Sequence, residues 1–262
     1  MTGAISMVPL LEQLGCEVIA INDAVNGRFA HNPEPLPEHL TELSAAVIKH
    51  NAHLGVAVDP DVDRLALICE DGEPFGEEYT LVAVADYVLS KTPGATVSNL
   101  SSTRALRDVT EEWHKQSYAA AAVGEVNVVE KMKAIQAVIG GEGNGGIIYP
   151  ESHYGRDALV GIALFLSHLA EKKCKVSELR DQYPAYTISK NKIELTPNVD
   201  VDDILTRMAR AYAHEEVDTT DGVKIYIGKE WVHLRKSNTE PIIRIYSESK
   251  NAEAADALAK RI

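Results

Sequence analysis

The chain has 262 residues, with 26 Lys+Arg against 39 Asp+Glu, a formal net charge of −13. An apolar fraction of 45% with 25% charged residues excludes a disordered chain, and the length is ample for one large domain or two to three small ones. So acidic a chain repels phosphate backbones, which argues against a nucleic-acid partner and requires any anionic ligand to be held by a local cluster of donors.

The three cysteines (Cys16, Cys69, Cys174) form no C-x-x-C pair, and the expected setting is a reduced cytoplasm. Met1-Thr-Gly-Ala-Ile-Ser-Met-Val lacks the charged and apolar regions of a signal peptide. The most apolar stretch, Ala158 to Ala170, is interrupted by Gly161, Ser167 and His168. It falls short of the roughly 20 residues a membrane span needs, so no membrane partner is expected.

In chain order, Pro9–Leu14 predicts a helix stopped by Gly15, and Cys16–Ile21 predicts a strand. A loop rich in Asn, Gly and Pro (Asn22 to Pro37) precedes a helix with Leu40, Leu43 and Val47 on one face. Leu54–Val58 and Leu65–Cys69 are strands, the second running into an Asp71-Gly72 turn. From about residue 76, helix Glu78–Leu89, strand Thr96–Leu100, helix Thr103–His114, strand Ala119–Val123 and helix Asn127–Ile135 alternate, followed by strand Ala137–Ile139. A Gly-rich loop and the long helix Asp157–Lys172 complete this part, which has α/β texture.

Past Tyr183-Pro184 the texture changes. Strand Thr187–Leu195 and helix Val201–Ala213 lead to closely spaced strands Val223–Ile227, Trp231–Leu234 and Ile242–Tyr246, with a last helix from Ala252. Strands in succession predict an α+β terminal domain. Boundaries are expected near residues 75 and 185, dividing the chain into 1–75, 76–185 and 186–262.

Three loops carry candidate chemistry. Asp59-Pro-Asp-Val-Asp-Arg64 follows an apolar strand, and its carboxylates at alternate positions can converge on one side of an extended loop. Oxygen-only donors suit a hard cation such as Mg²⁺. The alternative is a solvated acidic turn, disfavoured by flanking apolar strands that hold the charges together. An EF-hand is rejected, since Arg64 stands where its Gly is required and the flanks are strands. An aspartyl-phosphatase loop, with Asp59 as nucleophile and Asp61 as acid/base, stays open.

Gly140-Gly-Glu-Gly-Asn-Gly-Gly146 fits G-x-G-x-x-G formally. Ile147-Ile-Tyr-Pro150 is not the helix start a dinucleotide site needs. The glycines let backbone approach a ligand, with Glu142 and Asn144 suited to sugar hydroxyls, or they make a flexible turn. Arg235-Lys-Ser-Asn-Thr-Glu-Pro241 lies between two strands. Arg235 offers a planar fork for phosphate, with Ser237, Asn238 and Thr239 as neutral donors. Alone, it would also serve as a polar turn.

In this order the three loops resemble those of the α-D-phosphohexomutase family, which carries an Asp-x-Asp-x-Asp-Arg metal loop, a Gly-Glu-x-x-Gly sugar loop and an Arg-x-Ser-Asn/Gly-Thr phosphate loop. Asn26-Gly-Arg-Phe-Ala-His-Asn-Pro-Glu-Pro35 is similar to the family segment before the metal loop. Val123-Gly-Glu-Val-Asn, Glu130-Lys-Met132 and the Gly-rich loop are similar to the phosphoglucosamine mutase branch. The resemblance implies two mixed α/β domains and an α+β C-terminal domain: an N-terminally incomplete second domain, then the third and fourth. The family's serine motif, Thr-Ala-Ser-His-Asn-Pro, does not occur, and Leu100-Ser-Ser-Thr103 does not fit it. A truncated relative without turnover of its own is therefore expected. Gly146 stands where many members place His.

The resemblance further implies phosphate transfer between the 1 and 6 positions of a hexose or hexosamine phosphate, through a 1,6-bisphosphate and a phosphoserine. Asp59, Asp61 and Asp63 would hold Mg²⁺, and Arg64 would contact the transferring phosphoryl group. Glu142 and Asn144 would grip ring hydroxyls, and Arg235, Ser237, Asn238 and Thr239 would clamp the remote phosphate. Lys131 is a candidate further contact, against the alternative of a solvated helix lysine. Phosphomannomutase or phosphoglucomutase activity, an aspartyl-phosphatase-type transfer and a non-catalytic sugar-phosphate-binding module are the competing functions.

Overall fold

A computed structural model describes residues 2–29, 32–195, 200–237 and 241–262. Its first sheet is a two-stranded hairpin, β1 (Leu54–Val58) antiparallel to β2 (Leu65–Cys69). Period-two alternation divides β2 between two cores. Leu65, Leu67 and Cys69 face the main core, whereas Ala66 and Ile68 pack with Leu40 and Val47 beneath α2 (Thr41–His50). The first helix, α1, spans Thr2–Gln13, longer than expected, with Pro9 inside it.

Cys16–Ile21 is not a strand: it forms no ladder among the described residues, and Ile19 is 48% exposed. Valine and isoleucine favour extended backbone, but a strand needs a hydrogen-bonded neighbour. The hairpin sheet ends at β1 and offers this segment none.

The middle sheet has the order β4-β3-β5-β6, from β3 (Thr96–Asn99), β4 (Tyr118–Ala121), β5 (Ile139–Glu142) and β6 (Gly146–Ile148). β3 pairs in parallel with β4 and β5, and β6 returns antiparallel to β5. Two helical layers cover it. On one face lies α5 (Glu125–Ile135), whose Val128 and Met132 meet Val97, Ala121 and Ile148. On the other, α3 (Glu77–Lys91), the short α4 (Ala105–Asp108, continuing as a π-turn through Val109–Trp113) and α6 (Ala158–Lys172) join the main core. There Phe75 and Phe165 meet edge to face at 5.2 Å. Asp157 caps α6, its Oδ1 accepting from the N–H groups of Leu159 and Val160.

The Gly-rich segment expected as a loop is largely paired. Gly140, Gly141 and Glu142 belong to β5, and residues 143–145 turn the chain into β6. Helix α7 (Val176–Gln182) is an element the sequence patterns did not bring out.

The third sheet is antiparallel, order β7-β11-β10-β9-β8. It comprises β7 (Thr187–Glu194), β8 (Glu216–Asp218), β9 (Val223–Ile227), β10 (Glu230–Lys236) and β11 (Ile242–Ser249). Val223, Ile225, Val232, Leu234 and Ile243 pack beneath α8 (Val201–Ala211) and α9 (Ala252–Arg261). The alternate residues Lys224, Trp231, His233 and Glu248 meet the middle unit. Lys224 Nζ donates to the Leu100 carbonyl at 2.6 Å, and Glu248 Oε1 accepts the Arg104 N–H at 2.8 Å. His233 Nδ1 lies 3.0 Å from Ser101 Oγ. By the same alternation Arg235 falls on this inward face. Among the described residues, no helix is long and apolar enough to cross a membrane.

Candidate active site

The acidic loop is held from three sides. Asp59 is buried: its Oδ1 accepts the N–H groups of Asp63 and Arg64 at 3.0 and 3.1 Å, and its Oδ2 accepts Arg64 Nε at 2.7 Å. Val62 adopts φ +63, a left-handed conformation that is strained for a β-branched residue. Its carbonyl accepts the Ala158 N–H at the start of α6 (3.0 Å), and Leu65 N–H donates to Gly145 O at 3.0 Å. The acidic loop, the helix terminus and the β5–β6 hairpin are thus locked together. Gly145, at φ +84, has no room for a Cβ against the Leu65 backbone.

Carboxylate oxygens of Asp59, Asp61 and Asp63 lie within 4.8 Å of one another, with Asp61 exposed. Burial pulls the Asp59 carboxyl upward, but hydrogen bonds from Arg64 and the loop backbone outweigh it and hold it below the usual range. Asp63 is pushed up to about 6 by burial and by neighbouring Asp59 and Asp61, against the opposing pull of Arg156. Three carboxylates brought this close repel one another unless positive charge lies among them. The set fits a hard divalent cation, because its donors are all oxygen and one is pinned by backbone N–H groups.

Arg64 is turned onto Asp59 and onto Glu34, whose Oε1 lies 3.3 Å from its Nη1. Glu34 belongs to the Asn26–Pro35 segment before the acidic loop, so that segment anchors the arginine.

Glu142, at the end of β5, is buried with both oxygens engaged. Oε1 accepts Asn99 Nδ2 at 2.8 Å and the Gly124 N–H at 3.2 Å; Oε2 accepts Arg156 Nη1 at 2.7 Å. Asn144 is half-buried, its Oδ1 accepting the Gly146 N–H within the turn. Ser102, in the segment dismissed above as a phosphoserine site, is buried and holds the hairpin: its Oγ accepts the Gly143 N–H and donates to Asn99 Oδ1.

Arg235, next to last in β10, lies directly across from Arg244 on β11. Like charges opposed across a ladder are unfavourable unless something negative lies between or beside them. Arg235 Nη1 lies 3.8 Å from Asp221 Oδ2, which accepts the Val123 N–H at 3.0 Å. Its Nε is buried without a hydrogen-bond partner among the described residues. The Ser237 N–H donates to Ile242 O. Asn238 and Thr239 lie outside the described residues.

The three loops therefore converge. Arg156 Nη2 pairs with Asp63, Glu142 joins Arg156 to Gly124, and Val123 joins Asp221 beside Arg235. Lys131 is not brought into this cluster; it is exposed on α5 and none of these hydrogen bonds or ion pairs includes it. Sequence patterns missed Arg156 and Arg244. The first is a single residue before the α6 cap, and the second is recognisable only from the β10–β11 register. The side chain of Arg156 fills the space beside Gly146, where a Cβ would run into its Cδ.

Comparison with known proteins agrees with the three converging loops. Family models described as phosphoglucomutase/phosphomannomutase match in succession: α/β/α domain II over residues 2–72, α/β/α domain III over 76–186 and the C-terminal domain over 196–262. The chain belongs to the phosphohexomutase family. It is 36% identical over 256 residues to a phosphoglucomutase/phosphomannomutase of Thermococcus kodakarensis, covering 97% of this chain and 56% of that protein. It is 34% identical to a phosphoglucosamine/phosphogalactosamine mutase of Sulfurisphaera tokodaii, covering 99% and 58%. A phosphoglucomutase/phosphomannomutase family crystal structure from Burkholderia thailandensis superposes with TM-score 0.86 at 26% identity, over 98% of this chain and 56% of that one. The chain thus spans somewhat over half the length of these relatives.

Proposed function

We propose that the chain provides the metal, sugar and phosphate loops of a Mg²⁺-dependent phosphohexomutase acting between the 1 and 6 positions of a hexosamine phosphate. The observation that carries this is the continuous polar path from Asp63 through Arg156 and Glu142 to Arg235. That path connects the acidic-loop carboxylates, Glu142 and Arg235, which supports the reading. The phosphoglucosamine branch is favoured because relatives from Methanopyrus kandleri and Sulfurisphaera tokodaii carry that activity in their names.

Asp59, Asp61 and Asp63 would hold Mg²⁺, which when bound neutralises charge on a transferring phosphoryl group. Arg64, fixed by Asp59 and Glu34, supplies a second positive group beside that position. Glu142 and Asn144 orient ring hydroxyls. Arg235 with Arg244 opposite, together with Ser237, Asn238 and Thr239, clamps the phosphate remote from reaction. The phosphorylated serine would come from polypeptide other than these 262 residues, so the chain alone gives no turnover. Three free cysteines fit a reduced, cytoplasmic setting.

The test is calorimetric titration with glucosamine 6-phosphate and with inorganic phosphate. Glu142→Gln should weaken the sugar phosphate by about tenfold, the value of one hydrogen bond to a charged group, and leave inorganic phosphate nearly unchanged. A parent chain that takes inorganic phosphate as tightly as glucosamine 6-phosphate would contradict the assignment.

A further inference from the structure

Arg156 links the acidic loop to the hairpin but has been given no ligand of its own. Arg156 sits in the turn between β6 and α6, its backbone N–H bonded to Glu125 Oε1 at 2.8 Å. Its guanidinium is divided between two loops: Nη2 holds Asp63 of the acidic loop and Nη1 holds Glu142 of the hairpin. The remaining donor, Nε, is buried and makes no hydrogen bond among the described residues, but lies 3.5 Å from Glu125 Oε2. Gly146 leaves the space that the side chain fills.

Asp63, whose Oδ2 Arg156 holds, belongs to the carboxylate cluster that would take a divalent cation. A cation there supplies the positive charge Arg156 now supplies, and two positive groups on one carboxylate repel. Glu142 and Glu125 still hold the rest of the guanidinium, so the donor that Asp63 releases is Nη2, and an anionic ligand can take its place there.

We infer that Arg156 couples the two ligands of this site: it competes with the divalent cation for Asp63 and, once displaced, binds the sugar phosphate. The inference rests on the sugar-phosphate site proposed above. It assigns a ligand-binding and coupling role to a residue outside the three loop motifs. Linkage requires the effect to be reciprocal: Mg²⁺ strengthens sugar-phosphate binding by the same factor by which sugar phosphate strengthens Mg²⁺ binding.

The experiment is a set of titrations of the 262-residue chain with Mg²⁺ and with glucosamine 6-phosphate, each alone and with the other saturating. For the parent, each ligand should tighten the other about fivefold or more. Arg156→Met should bind Mg²⁺ about tenfold more tightly, bind the sugar phosphate about tenfold more weakly, and show a coupling factor near one. Arg156→Lys, which keeps the charge but not the fork, should retain part of the coupling and guards against a Met variant that fails to fold. Opposite changes for the two ligands support the inference. A packing role alone would weaken both and leave the coupling factor intact, which overturns it. Parent binding of both ligands without coupling overturns the inference alone. A parent that binds no sugar phosphate removes the underlying site as well.

Discussion

The middle and N-terminal units are built from similar apolar segments and end up differently. In the middle unit β3 is paired on both edges, and helices on both faces bury Val97, Ile139, Ile147 and Ile148 completely. In the N-terminal unit the sheet stops at two strands. Cys16–Ile21 lines a cavity of about 680 Å³ together with α1, α2 and β1, with Ile19, Val25 and Phe29 about half exposed or more. The difference teaches that β-branched composition makes a strand only where a neighbour supplies hydrogen bonds and a facing layer supplies burial.

The comparison breaks most sharply at Phe165. It is fully buried against Phe75 where β2 joins the middle core, so Phe165→Ala should cost about 3–5 kcal/mol in denaturant unfolding. A loss below about 1 kcal/mol would mean that the middle core is not the stable part.

A second, somewhat smaller effect is expected at Asp86 on α3. His114 Nε2 lies 2.7 Å from its Oδ1, and Tyr183 donates to its Oδ2 at 3.2 Å. Burial raises this carboxyl, but hydrogen bonds with His168 and His114 and the charge of Lys172 prevail and hold it at about 2, against an ordinary 3.8. Because the folded value is depressed, the stabilisation is present above pH 3.8 and is lost as pH falls through about 2. It amounts to about 2 kcal/mol. Asp86→Asn should flatten the acid limb of a stability–pH curve, and an unchanged limb would remove the assignment.

The smallest effect belongs to the open edge. Ile19→Ala should change stability by no more than about 0.5 kcal/mol, since half of the side chain already faces solvent. A loss of 2 kcal/mol would show that this segment is packed in solution, and the contrast between the two units would disappear.

The same contrast explains what the sequence could and could not disclose. Strands β9, β10 and β11 were legible because inward and outward residues alternate along them. The Cys16–Ile21 segment shows strong strand propensity, but no local pattern reports a missing neighbour. The Gly140–Gly146 segment misled in the other direction: glycines signal a turn, yet two of them lie in β5 because its backbone runs close to β3 and β6. At the site, Asp59, Asp61, Asp63, Glu142 and Arg235 were legible because each lies in a short run of chemically related residues. Arg156 was not, since its meaning comes from Asp63 and Glu142, distant in sequence and adjacent only after folding.

The most direct test of the account concerns the one arginine that an acidic chain places at the end of β10. Arg235 should carry most of the affinity for a hexosamine phosphate, a charge-assisted bond worth about 1.5–3 kcal/mol. Titration with glucosamine 6-phosphate should therefore show Arg235→Ala binding about 10- to 150-fold more weakly than the parent, with Arg235→Lys recovering only part of the loss. Equal affinity of Arg235→Ala and the parent chain would contradict the phosphate-clamp assignment and leave the β10–β11 connection a polar turn.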